Sequence, residues 1–244
     1  MSNIWSIGKR EFKSYFASPV AYVFIVIFLL LTGFFTFNVG RFFDRNEASL
    51  AAFFVWHPWL YLFLVPAAGM RLWAEERRSG SIELLLTMPV TAWQAILGKF
   101  LAAWAFLGVC LALTFPMILT VHYLGDPDGG VIFTGYLGSF LVAGAYLAVT
   151  ELTSSMTRNQ VVSFITSLVI CLFLILAGWP PVTDMFASWG LDWLVRGVAA
   201  FSIIPHFDRL QGGLIDTRDL VYFLSIIGFA LFSTGVVLRS RRVS

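Results

Sequence analysis

Residues 71–99 read RLWAEERRSGSIELLLTMPVTAWQAILGK, a charged stretch set between two apolar runs that are each long enough to cross a bilayer. Arg71, Arg77 and Arg78 accompany Glu75, Glu76 and Glu83 in a chain of which only 12% is charged, so the charge is concentrated where water must be. Gly80 can end a helix in the left-handed conformation, and Ser81 can cap the next one. That next helix, residues 82–88, carries Ile82, Leu85 and Leu86 at i, i+3 and i+4, an apolar face on a segment too short to span anything. Pro89 ends it, and Thr91 with Gln94 makes a capping box that starts a membrane helix at Ala92. A short apolar-faced helix between two spans needs a surface. It either plugs a groove on a cytoplasmic partner or lies on lipid. Each of its three aliphatic side chains contributes about 1.5–3 kcal/mol on burial, much of it offset by the costs of association.

Composition sets the class. The chain is 59% hydrophobic and 17% aromatic, with a mean hydropathy of +0.83, whereas soluble domains are about 45–50% apolar. We therefore read an all-α polytopic membrane protein with six transmembrane helices. The expected spans are Pro19–Val39, Ala51–Gly69, Ala92–Val121, Val131–Leu152, Val161–Gly178 and Leu220–Leu238. Before the first lies an amphipathic segment, Met1–Ser18. It places Ile4, Trp5, Phe12, Tyr15 and Phe16 opposite Ser6, Lys9, Arg10 and Lys13, the pattern of a helix in the cytoplasmic headgroup layer. The apolar run that follows is longer than a signal-peptide core and is expected to be retained. Pro58 and Pro66 should kink the second span, and Gly135, Gly138, Gly144 and Ala145 allow close packing of the fourth.

Residues 179–219 are neither apolar enough to span nor polar enough for a plain loop. Trp179, Trp189 and Trp193 stand beside Asp184, Asp192, Arg196, His206 and Asp208, which suits amphipathic helices at the outer interface. At nearly forty residues this stretch far exceeds an ordinary connection of about 4–6. It reads either as a contact surface for substrate or an extracytoplasmic protein, or as a lid over the bundle.

Orientation follows from the cations. Lys9, Arg10, Lys13, Arg71, Arg77, Arg78, Lys99, Arg158, Arg239, Arg241 and Arg242 fall on the N-terminal side of this layout, and Arg41, Arg45, Arg196, Arg209 and Arg218 on the other. The positive-inside rule then puts both termini and residues 71–90 in the cytoplasm. The net charge of +2 is spread over membrane-flanking segments without one long basic run, so nucleic acid is not an expected partner.

The chemistry that is missing narrows the function. No span carries a carboxylate pair or a His/Asp cluster of the kind an ion-driven transporter needs at its midplane. Gly98-Lys99 is followed by Phe100, and Trp93 stands where a P-loop needs its first glycine, so no ATP site of that type is expected in this chain. No cofactor or metal is expected either. Cys110 and Cys171 read as small hydrophobes, His57 and His122 as boundary residues, and Glu151 as an acid that snorkels to the cytoplasmic face.

The 71–99 stretch resembles the segment between the second and third spans of type-2 ABC exporter permeases, which reads acidic-basic, then glycine, then E-L-L-L-x-x-P. Within that superfamily, Ser202–Leu224 (SIIPHFDRLQGGLIDTRDLVYFL) is similar to the segment before the last span in the gliding-motility-type branch. The resemblance implies a non-catalytic permease subunit in a bacterial cytoplasmic membrane. It would pair with a second six-span half and with cytoplasmic P-loop ATPase subunits that hold the ATP and magnesium. Arg71, Glu75, Glu76, Arg77, Arg78, Gly80, Ile82, Glu83, Leu85 and Leu86 would then form the coupling segment, and Trp179, Trp189, Trp193, His206 and Asp208 the outer contact. A membrane anchor that sends ATPase motion to an external protein without conducting substrate is the alternative. Thr114, Thr150, Ser163, Thr166 and Ser167 on the central spans speak weakly for a conduit.

Overall fold

The computed structural model describes residues 2–45, 47–80, 91–179, 182, 184 and 201–240. The described residues are overwhelmingly helical. They form α1 (Ser2–Ala17), α2 (Pro19–Phe34, prolonged as a π-helix over Phe35–Val39), α3 (Ala51–Phe54), α4 (His57–Gly69) and α5 (Arg71–Ser79). There follow α6 (Ala92–Ala112), α7 (Pro116–Leu124), α8 (Gly129–Met156), α9 (Gln160–Leu176), α10 (Ile203–Gln211) and α11 (Thr217–Ser240). Five continuous helical stretches are long and apolar enough to cross a membrane: Pro19–Val39, Ala51–Ser79, Ala92–Leu124, Gly129–Met156 and Thr217–Ser240. Gln160–Leu176, which overlaps the expected fifth span, is a shorter apolar helix. The chain is an all-α polytopic membrane protein.

Local sequence explains most helix ends. Ser18 accepts from the Val20 amide ahead of Pro19, Asp128 from Gly130, Asn159 from Val161, and Ser202 from Ile204. The capping box at α6 is formed in both directions, with Thr91 Oγ1 accepting from Gln94 N at 3.3 Å and Gln94 Oε1 accepting from Thr91 N at 3.1 Å. Gly80 stops α5 at φ 74°, in the left-handed region that favours glycine. Prolines act differently at each site. Pro58 lies in the first turn of α4 after a break at Val55-Trp56, Pro66 lies inside that helix, and Pro116 starts α7 after a break at Leu113–Phe115. The third span thus carries one turn-like interruption between α6 and α7.

Helix α8 is the axis of the bundle, packing against α4, α5, α6, α9, α10 and α11. Its glycines permit this. A Cβ at Gly135 would lie 2.3 Å from the Phe54 ring, and one at Gly144 would lie 2.8 Å from the Trp104 indole. Trp104 also stacks on Phe140 at 4.4 Å and donates to the Phe140 carbonyl. Tyr61 and Ser139 share a buried 2.8 Å hydrogen bond between α4 and α8.

Two readings change. Helix α1 packs along α6, with Tyr15 stacked on Phe106 at 5.0 Å, so its aromatic arc is turned toward protein, and Trp5 is left exposed. Glu151 does not snorkel; it has no solvent exposure. His57 is fully buried in protein, among Phe28, Phe53, Phe54 and Tyr61. Cys110 and Cys171 are free and buried, as small hydrophobes should be.

Candidate functional site

The charged segment begins as a continuation of the second span. Met70 keeps helical dihedrals, so α4 runs directly into α5 and the helical stretch extends to Ser79, well past the expected end at Gly69. The first turn of α5 is buried through Leu72, Trp73 and Ala74, whereas Arg71, Glu75 and Arg78 are exposed and Glu76 and Arg77 half-buried. Three consecutive residues cover about 200° of the helix circumference, so the bundle wraps more than half of this first turn of α5.

The buried side of α5 is fixed to the far end of α8 by polar contacts. Ser154 Oγ accepts from the amides of Trp73 and Ala74, each at 3.0 Å, and donates to the Met70 carbonyl at 2.8 Å. Met70 C=O and Ala74 N–H are the pair that would bond each other in an uninterrupted helix, so the hydroxyl sits within the ladder between α4 and α5. The Trp73 indole donates to Glu151 Oε1 at 2.9 Å, and Arg77 donates to the Ser155 carbonyl. A third layer comes from α6 and α1. Lys99 Nζ, almost wholly buried, lies 2.7 Å from Glu76, 3.9 Å from Glu11 and 5.3 Å from the centre of the Trp73 ring. A lysine carried into the bundle is costly unless paired, and here carboxylates and an aromatic face surround it.

Of the residues expected to form the coupling segment, Arg71, Glu75, Glu76, Arg77, Arg78 and Gly80 therefore lie on one helix and its cap. Ile82, Glu83, Leu85 and Leu86 lie outside the described residues. Sequence reasoning passed over Ser154, Trp73 and Glu11. The signal was the run Thr150-Glu151-Leu152-Thr153-Ser154-Ser155, where hydroxyls occupy positions that an apolar helix face would otherwise fill.

At the other end of the bundle, α10 joins the start of α11. Asp219 is fully buried, His206 Nδ1 lies 2.6 Å from its Oδ1, and Arg209 donates to both its oxygens, from Nε at 3.0 Å to Oδ2 and from Nε and Nη2 to Oδ1. The hydrogen-bonded carboxylate holds the Arg209 guanidinium above its ordinary pKa. The His206 ring stacks on Tyr222 at 3.9 Å, and Tyr222 donates to the Phe201 carbonyl at 2.5 Å. Asp208, on the other side of α10, is exposed and accepts from Gln211. Trp179 meets Trp59 edge-on at 5.8 Å, while Trp189 and Trp193 lie outside the described residues. His206 is thus a packed member of an ion cluster and Asp208 is the solvent-facing one. Among the described residues no group of His, Cys, Asp and Glu could hold a metal ion.

The family model described as ABC-2 family transporter protein matches residues 60–189, more than half of the chain. The chain belongs to the ABC-2 transporter family. The match covers α5, α6 and α8, so the Trp73–Glu151–Ser154 junction lies inside the family region. No curated protein matches the chain at a significant level. As an ABC-2 family member, the chain is a multi-pass permease subunit of an ABC transporter, a type of subunit that is usually non-catalytic and works with an ATP-binding cassette partner and as a dimer.

Proposed function

We propose that this ABC-2 permease subunit moves a substrate outward across the cytoplasmic membrane, or extracts it from that membrane, using ATP hydrolysed by a separate subunit. The ATPase would grip residues 71–88 from the cytoplasm, with both termini on the same side. The observation that carries this reading is the three-way bonding of Ser154 to the α4–α5 junction. A push on α5 is not absorbed by a flexible linker, since backbone groups of Met70, Trp73 and Ala74 are bonded directly to the central helix. Glu151, Trp73 and Lys99 stiffen the joint.

A mechanical reading has support of its own. Helix α8 touches α5 near its C-terminal end and, through Gly138 beside Leu210 and Phe207, α10 near its N-terminal end. One rigid helix therefore links the charged segment to the segment that carries Asp208. In this reading the chain transmits ATPase motion to an extracytoplasmic protein through 179–219 and conducts nothing. Replacing residues 184–209 by a Gly/Ser linker tests the role of that stretch. Retained ATPase assembly with lost transport or partner binding supports an outer contact surface, and full activity refutes it.

Topology is tested by cysteine labelling in sealed vesicles. Positions 78 and 240 are expected to react only from the cytoplasm and position 128 only from outside; reversal at 78 would remove the basis for coupling.

A further inference from the structure

A cavity of about 500 Å³ opens between α1, the first turns of α2, the α4–α5 junction and α6. Its two halves differ in chemistry. Val23, Phe24, Ile27 and Phe106 form an apolar wall, and Arg71 and Glu75 stand at its polar end with Glu11. Arg71 and Glu75 are one turn apart on α5, which puts their Cβ atoms about 5–6 Å from each other. Both are exposed, and among the described residues neither makes an ion pair or a side-chain hydrogen bond. Lys99, which also lines the space, is already committed to Glu76. Glu11 is paired with Arg10 at 3.1 Å, so the polar end offers one guanidinium and one carboxylate side by side, both open to a ligand.

We propose that this cavity binds one phospholipid with a zwitterionic ethanolamine head group. The phosphate meets Arg71, which suits a planar guanidinium. The primary ammonium, two carbons further on, meets Glu75. One acyl chain lies along the wall formed by Val23, Phe24, Ile27 and Phe106. An anionic lipid would satisfy Arg71 and leave Glu75 facing like charge; an uncharged apolar molecule would offer neither charge a partner beyond its neighbour one turn away. The volume falls in the range of about 300–1,000 Å³ common for small-molecule sites. The lipid is drawn from the leaflet next to α1, the cytoplasmic one under the proposed topology, and only that choice of leaflet rests on the proposed function.

The test is native mass spectrometry of the detergent-purified full chain titrated with phosphatidylethanolamine and, separately, phosphatidylglycerol. One phosphatidylethanolamine per chain is expected to bind at least tenfold more tightly than phosphatidylglycerol. Glu75→Gln should erase most of that preference. Val23→Trp, which fills the apolar wall from an exposed position outside the α5–α8 joint, should abolish the saturable adduct while thermal stability and association with the ATPase stay as in the wild type. Equal binding of both lipids, preference for phosphatidylglycerol, or a wild-type adduct in Val23→Trp would each overturn the site. Disulfide crosslinking of a Val23→Cys chain to a second copy would also overturn it, by showing that protein covers the wall. Because Val23→Trp leaves ATPase association alone, failure of the lipid site is separable from failure of the permease reading.

Discussion

The Trp73 indole donates a 2.9 Å hydrogen bond to Glu151, a carboxylate with no solvent exposure that lies 78 positions away in the chain and one turn from Ser154 on α8. This contact and the Ser154 hydroxyl join the charged helix α5 to the helix at the centre of the bundle. Trp73→Phe leaves Glu151 Oε1 without its donor and should destabilise the purified protein by about 1–3 kcal/mol. Trp73→Phe combined with Glu151→Leu should recover most of that loss. Thermal unfolding of the two single variants and the double variant checks the coupling.

Ser154→Ala removes one hydroxyl that serves one carbonyl and two amides. The α4–α5 ladder is then free to close on itself, and α5 loses one anchor on α8 while the Trp73–Glu151 and Arg77–Ser155 bonds remain. ATPase association should persist while stimulation of hydrolysis by the permease falls severalfold; a wild-type response would place the transmission elsewhere.

Lys99→Met leaves Glu76 and Glu11 facing each other's charge without the ammonium between them. Both acids keep about a fifth of their side-chain surface in water. The cost should therefore stay near 2 kcal/mol, below the 3–5 kcal/mol typical of a fully buried pair that loses one partner. Lys99→Met with Glu76→Gln should cost less than Lys99→Met alone, as measured by denaturation in detergent.

Gly135→Ala drives a methyl group into the Phe54 ring, which is buried and hemmed in by His57 and Tyr136. Overpacking of this kind costs about 1–3 kcal/mol. Gly228→Ala, where nothing lies within 4 Å of the added Cβ, should be neutral or mildly stabilising. Equal melting temperatures for the two variants would contradict the close approach of α3 to α8.

Much of the helical layout was legible because it rests on local chemistry. The Thr91/Gln94 capping box and the left-handed Gly80 are each decided within a few residues. What escaped the sequence was pairing at long range. Glu151 reads as a snorkelling acid when only its distance from the helix end is known, and nothing local says that Trp73 will bring an indole donor to it. The Arg209–Asp219–His206 cluster is similar. It spans the turn at Gly212-Gly213, where Gly213 takes φ 89°, and the geometry of that turn, not the spacing of the charges, decides that they meet. The helix that carries the second span runs on past Gly69 for a related reason. Arg71 looks like a helix end, yet the helix goes on through it and buries Leu72, Trp73 and Ala74 while Arg71, Glu75 and Arg78 stay exposed.

The central claim, that residues 71–88 are where the ATPase grips this chain, is tested most directly by a photoreactive amino acid at position 85 in the full chain, co-expressed with its ATP-binding cassette partner in native membranes. Position 85 should crosslink to the P-loop subunit, and Glu83→Arg should remove that adduct without reducing membrane insertion. An adduct exclusively with lipid, unchanged by Glu83→Arg, would contradict it.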